Sequence, residues 1–323
     1  MNSGKQVVTP PYLTQVTDGI WCIELPHTDF QTVNAYLFEG TPLTLLDAGA
    51  PTEASISQLQ LALQHLGYQW EDIGRLLLTH AHIDHIGGAA FLPPPAEILA
   101  LTGTAANVGD YESWMNRWHH YPVWLSEVYP ELAALFLNQQ SRTWMGDMFP
   151  RGGHLSINRE FAHGQTIDLG RWKLQAIHTP GHDMLHTCYY LEEQQLLFSG
   201  DYILSRGPAL ARYMGDEANA FRDSVQQVAH LAVKQIWPSH GKPFGFQQGL
   251  SHIRSLLDRQ SIRLLQRLHE GRSTALDLFF AYYGSRHFHP ASIAMDFSGV
   301  DCLIQHLLDQ GVISKTGIWY ALA

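Results

Sequence analysis

The stretch Thr79-His80-Ala81-His82-Ile83-Asp84-His85 decides how the rest of the chain is read. Three histidines and an aspartate within six residues cannot all lie on one face of a helix or strand, but a tight loop can turn them toward one point. Neutral imidazoles and a carboxylate are the donors that zinc, iron(II) and manganese accept. The run before it, Ile73-Gly74-Arg75-Leu76-Leu77-Leu78, is short, apolar and entered through a glycine, so it reads as a buried strand with the donors hanging off its end. His80 and His82 alternate and can reach one ion, while Asp84 and His85 come after the turn and can reach a second. The competing reading is a surface loop in a histidine-rich chain, which has 19 in all.

These residues resemble the His-x-His-x-Asp-His signature of the metallo-β-lactamase superfamily. Further segments match that family in order: His178-Thr179-Pro180-Gly181-His182, Leu196-Leu197-Phe198-Ser199-Gly200-Asp201 and Ile236-Trp237-Pro238-Ser239-His240-Gly241. The resemblance covers about residues 15–245 and implies an α/β fold, the αββα sandwich. It also implies two divalent metal ions, zinc first, with iron or manganese as alternatives. His80, His82 and His182 would hold one ion, Asp84, His85 and His240 the other, and Asp201 would bridge them. Asp47, at the end of the buried run Leu43-Thr44-Leu45-Leu46, looks like the aspartate that supports the metal loop from behind; its other reading is a plain turn residue before Gly49. After His182 the family continues with Ser or Thr and a nearby glycine. Here Asp183-Met184-Leu185-His186 stands instead, so the hydrogen bonding around His182 is expected to differ. His178 and His186 read as structural.

Composition bounds the rest. At 323 residues, 45% hydrophobic and 15% charged, the chain can build one large domain and a small one. A formal charge of −10 and a pI near 6 argue against nucleic acid as a partner. The first eleven residues lack the apolar core of a signal peptide, and no uninterrupted apolar run reaches about 18 residues, so a cytoplasmic protein with no membrane partner is the expectation. Cys22, Cys188 and Cys302 are odd in number and far apart, which excludes a disulfide framework and leaves them as buried small residues.

Residues 1–250 are expected to form the catalytic domain, opening on short strands and an amphipathic helix over 52–67 that stops at Gly67. Gly87-Gly88-Ala89-Ala90 suits a helix start packed closely on the sheet, and Pro93-Pro94-Pro95 ends that element. Residues 105–150 break the pattern: Trp114, Trp118, Trp124, Trp144 and Phe149 are among many aromatics at helical rather than alternating spacing. This reads as a helical insertion. It either packs as core or forms a lid, in which case Trp114, Trp118 and Trp124 line an apolar substrate pocket. Residues 251–323 read as three helices over 251–270, 274–283 and 300–310, followed by a hairpin turning at Thr316-Gly317. That order resembles the winged-helix-like module of the lactamase-β-like branch. Seven Arg or Lys stand against six Asp or Glu there, so packing or homodimer formation is expected rather than DNA binding.

The ligand set implies a metal-dependent hydrolase in which two cations about 3.5–4 Å apart activate a bridging hydroxide, with Asp84 as the catalytic carboxylate that orients it and moves a proton. His82 argues against the oxygen-reducing diiron relatives, which carry a glutamate there. Asp201 argues against the commonest zinc β-lactamases, which carry a cysteine. A thioester, ester or lactone remains, with a small-molecule acyl substrate. The alternatives are a lactamase-β-like nuclease or phosphodiesterase, and a regulatory binding protein with residual hydrolase activity.

Overall fold

The computed structural model describes residues 9–28, 31–92, 96–139, 155–205, 220–284 and 293–323. The proline run and the aromatics Trp144 and Phe149 lie outside these residues. Two sheets are stacked face to face. The first has seven strands in sequential order: β1 Leu13–Thr17, β2 Ile20–Thr28, β3 Gln31–Phe38, β4 Leu43–Leu46, β5 Ile73–Leu77, β6 Glu97–Leu101 and β7 Arg159–Phe161. Its first four strands are antiparallel neighbours, and from β4 onward the pairing is parallel. The second sheet comprises β8 Thr166–Asp168, β9 Lys173–His178, β10 Thr187–Leu191, β11 Leu196–Gly200, β12 Gln235–Pro238 and β13 Phe244–Gly245, with β11 and β12 parallel.

Side-chain alternation explains why both sheets are covered on both faces. Along β3, Val33, Ala35 and Leu37 point to one core while Tyr36 and Phe38 point to another; along β10, Tyr189 and Leu191 face the core that Cys188 and Tyr190 turn away from. Tyr36, Phe38, Leu46 and Leu77 meet Tyr189, Leu191 and Phe198 between the sheets. The outer face of the first sheet packs on helix α1, Glu53–His65, capped by Thr52 and followed by Gly67 at φ +87°. Among the described residues, four further α-helices precede β7: the single turn α2 Ile83–Ile86, then α3 Thr104–Val108, α4 Tyr111–Val128 and a short α5 Ala133–Phe136. The expected helical insertion is therefore present through residue 139, and Trp114 and Met115 of α4 sit in the same core as α1.

Helix α6, Ala220–Ala229, covers the second sheet together with the carboxy-terminal elements: α7 Phe246–His269, α8 Ala275–Tyr283 and α9 Ile293–Asp309. The result is four layers, helix, sheet, sheet and helix. The expected order of three helices and a hairpin is found, with the hairpin as β15 Ile313–Thr316 and β16 Trp319–Leu322. The two-residue strand β14, Ser273–Thr274, joins it into a third sheet ordered β14-β16-β15. The first of these helices starts at Phe246 and the third at Ile293, both earlier than the glycine-bounded pattern indicated. Among the described residues no helix is long and apolar enough to cross a membrane.

Candidate metal centre

The donors converge because the backbone changes conformation inside the motif. After β5 the chain bends at Thr79 and reaches His82, the N-cap of α2, in an extended conformation (φ −78°, ψ 155°), and Asp84 and His85 then fall in the first turn of that helix. The irregular stretch through His82 followed by a helical Asp-His turns four side chains to one side. The loop is pinned from below: Ala48 N–H donates to the His85 carbonyl at 2.8 Å, and Gly88 N–H donates to the Gly49 carbonyl at 2.8 Å. A Cβ at Gly88 would overlap the Ala48 carbonyl oxygen, so only glycine permits this approach. His182 arrives from the loop after β9, Asp201 from the residue after β11, and His240 from the loop after β12.

All seven candidate ligands are brought together. His182 Nε2 and His82 Nδ1 lie 2.9 Å apart, and with His80 they form one compact group of donor atoms. Asp84 Oδ2 is 3.1 Å from His240 Nε2 and 3.6 Å from His85 Nε2, forming a second. The Asp201 carboxylate reaches both, with Oδ2 3.4 Å from His182 Nε2 and 3.3 Å from His240 Nε2, and Oδ1 3.6 Å from His85 Nε2.

Whether the residues suit cations can be judged from their unsatisfied atoms. His80 Nε2, His85 Nε2 and Asp201 Oδ1 are buried and have no hydrogen-bond partner among the described residues. Leaving a buried polar atom unpaired costs about 1–3 kcal/mol each, so three of them facing one point fit bound ions. The protonation states agree. Burial, reinforced by the neighbouring imidazoles, holds His80 and His82 well below the usual histidine range, which leaves them in the neutral form that can ligate. Burial opposes ionisation of Asp84 and Asp201, but His85 and His240 outweigh it and hold both carboxyls well below their ordinary range. Burial likewise opposes charge on His240, yet Asp201 and Asp84 push it up. A cation would displace protons that these carboxylates otherwise hold on the imidazoles.

Most of these donors are backed by a further group that selects which nitrogen is free. Asp47, held at φ +59°, accepts from Thr79 N–H and Thr79 Oγ1–H at 2.8 Å each, and from His85 Nδ1–H at 2.8 Å. Thr79 Oγ1 in turn accepts from His80 Nδ1–H at 3.0 Å, leaving His80 Nε2 with its lone pair. His240 Nδ1–H donates to the Thr32 carbonyl at 2.6 Å. His186 Nδ1–H donates to Thr179 Oγ1 at 2.8 Å, and its Nε2 accepts the Asp201 backbone N–H at 3.2 Å. His178 Nε2–H is spent on the Met184 carbonyl at 2.7 Å. Thr79, Thr32 and His186 carried no signal of this role in the sequence, because the bonds join segments far apart in the chain. A further residue, His27, reaches in from β2: its Nε2 is 3.8 Å from Asp84 Oδ2, and its buried Nδ1 has no partner among the described residues.

The three tryptophans separate. Trp114 is buried and its Nε1–H donates at 3.0 Å to the carbonyl of Ala81, the residue between the first two histidines of the motif. The Trp118 ring stands edge-on to His82 at 5.0 Å. Trp124 stacks on Tyr121 at 5.8 Å and packs with the core on the outer face of the second sheet.

A stacked pair of sheets flanked by helices, with a histidine and aspartate cluster at the strand ends, defines a class of metal-dependent hydrolases. The chain belongs to the metallo-beta-lactamase superfamily, whose family model matches residues 28–240. It is 26% identical to the probable metallo-hydrolase YqjP of Bacillus subtilis over 76% of this chain and 78% of that protein. It is 27% identical to the atrochrysone carboxyl ACP thioesterase of Passalora fulva, but over 66% of this chain and only 49% of that relative. A beta-lactamase domain protein from Burkholderia ambifaria shares the fold over 98% of this chain and 96% of its own, with TM-score 0.81 and 19% identity. A metallo-beta-lactamase family protein from Thermus thermophilus does so over 96% and 100%, with TM-score 0.75 and 21% identity.

Proposed function

We propose that this chain is a dinuclear hydrolase of a thioester, ester or lactone. The observation that carries the reading is the donor set itself: His80, His82 and His182 on one side, Asp84, His85 and His240 on the other, and Asp201 within reach of both. Two divalent cations bound there, zinc first, would supply a hydroxide at neutral pH and an electrophilic centre for the developing oxyanion. The protein's part is placement and proton handling. Asp84 turns Oδ2 toward His85, His240 and His27, leaving Oδ1 to orient the attacking water and carry its proton. Thr79, Asp47 and Thr32 hold His80, His85 and His240 in their working tautomers, and His186 holds the backbone of Asp201 in place. Trp114 and Trp118 cover the His80-Ala81-His82 segment from α4, excluding water from that side and presenting an apolar wall to an acyl group. A thioesterase among the relatives supports the thioester class, and the acidic net charge supports a small acyl substrate over nucleic acid. Residues 251–323 are proposed as a winged-helix-like module that packs rather than reads DNA.

Zinc-loaded protein assayed on thioesters, esters, lactones, phosphodiesters and RNA should hydrolyse the acyl substrates. Elemental analysis should find close to two ions per chain, and His82→Ala or Asp201→Ala should lower that content and abolish hydrolysis. Full activity after exhaustive chelation would sink the proposal; turnover of phosphodiesters alone would transfer it to the nuclease reading.

A further inference from the structure

Asp183 stands where the family's Ser or Thr is expected, and nothing above gives it a task. It belongs to the loop that carries His182, and its side chain is only 11% exposed. Its Oδ1 accepts the Leu185 N–H at 2.7 Å, which fixes the carboxylate and leaves Oδ2. That oxygen lies 3.9 Å from His82 Nε2.

The tautomer of His82 makes this position significant. Its Nδ1 faces His182 Nε2 at 2.9 Å, inside the first group of donors. If Nδ1 is the ligating atom, the ring proton must sit on Nε2, on the far side of the ring. An N–H on a side chain only 15% exposed needs an acceptor, and a small closure of the 3.9 Å gap, or one intervening water, supplies it from Asp183. Three other candidate imidazoles already have such partners: Thr79 behind His80, Asp47 behind His85 and the Thr32 carbonyl behind His240. Charge points the same way. The second group contains Asp84 and is backed by Asp47, whereas the first has three imidazoles and only its share of Asp201. A fixed carboxylate beside His82 would make that imidazole a stronger donor.

We infer that Asp183 is a positioning residue for the first ion, orienting His82 through Nε2 and adding negative charge to the half of the site that otherwise has only its share of Asp201. A serine or threonine there can keep the turn but cannot supply the charge. The inference rests on His82 being a ligand, so the wild-type chain is titrated first.

The test separates the turn from the charge. Asp183→Asn retains an oxygen for the Leu185 N–H and loses the anionic acceptor; Asp183→Ser installs the family's residue. Zinc affinity is measured on the full chain by competition with a chromophoric chelator, and chelator-treated proteins are melted in parallel, with Asp47→Asn as a reference for the other half. Both Asp183 variants should lose roughly 10–100-fold in affinity at one of the two sites, with the melting temperature of the chelator-treated protein unchanged. Cobalt-substituted Asp183→Asn should also show an altered ligand-field spectrum. Two wild-type-like affinities in Asp183→Asn would overturn the inference, as would a lowered melting temperature with unchanged affinity, which assigns Asp183 to the turn alone. A wild-type chain that binds no ion would refute the ligand assignment itself, and this inference with it.

Discussion

His85 shows how much of the site is set by electrostatics between single residues. Its ring has no exposed surface and lies among the carboxylates of Asp47, Asp84 and Asp201. Burial lowers its affinity for a proton, but Asp84, Asp201 and Asp47 together win and push the pKa from 6.5 up to about 10. A histidine raised in the folded state contributes stability that is complete below pH 6.5 and is lost as the pH climbs toward about 10. Chelator-treated protein should therefore lose melting temperature across that window. Zinc affinity should rise over the same range, because the ion displaces the proton from a nitrogen aimed at it. Calorimetric melts and chelator competition at stepped pH measure both; zinc affinity that falls as pH rises from 6.5 would refute the assignment of His85 as a ligand.

At the scale of an element, α4 connects the insertion to the chemistry. Asp110 caps its first turn, accepting the Ser113 N–H at 2.8 Å, and an apolar stripe then carries Trp114, Met115 and Trp118 onto the metal loop. Further along, Tyr121, Leu125 and, just past the end, Tyr129 belong to the other large core, and Tyr129 O–H donates to Asp301 of α9. One helix thus spans both outer layers. Trp114→Phe keeps most of the burial and removes only the bond to the Ala81 carbonyl, so it should weaken metal binding severalfold with a stability loss of about 1 kcal/mol. Trp114→Ala should cost about 3–5 kcal/mol, the usual result of a large cavity. Denaturant melts beside zinc titrations distinguish them, and a Trp114→Phe protein with wild-type zinc affinity would reduce α4 to packing alone.

The whole molecule is held together across the boundary that the sequence suggests near residue 250. Leu250, Ile253, Leu257 and Leu264 of α7 share one continuous core with Phe279, Phe297 and Leu303 from the last helices, and with Ile177, Cys188, Leu197 and Ile236 from the second sheet. A chain ended after Leu250 would leave much of the outer face of that sheet covered only by α6 and the end of α4, a loss of apolar burial worth about 25 cal/mol per Å² uncovered. It should aggregate or lose cooperative unfolding, with no change in affinity for duplex DNA. Circular dichroism melts and salt-dependent DNA titrations check this. A truncated chain that melts like the full protein would show the two parts to be independent, and salt-sensitive duplex binding lost on truncation would restore a nucleic-acid role.

Read as a string of residues, the chain already specifies its candidate ligands and the order of its elements. The donors of residues 79–85 are legible as a local pattern at a strand end, while 178–182 and 196–201 are identified as ligand segments through their resemblance, in order, to the family's motifs. The stacked pair of sheets is expected through the family resemblance, while apolar periodicity and glycine stops are local, which is why α1 and the final hairpin were legible. What surrounds the donors was not. Asp47 is expected behind the metal loop only through the family resemblance, but the partnership of Thr32 with His240 and of His186 with Asp201 depends on how sheets stack, and no spacing rule encodes a contact between segments whose separation is set by folding. The division of the tryptophans is of the same kind: identical aromatics on one helix became, by what each packs against in the fold, a hydrogen-bond donor to the metal loop, a wall beside His82 and a piece of the opposite core. That the last helices complete a core rather than form a detached module is likewise a matter of packing, because an apolar stripe specifies that a helix must be covered but not by what.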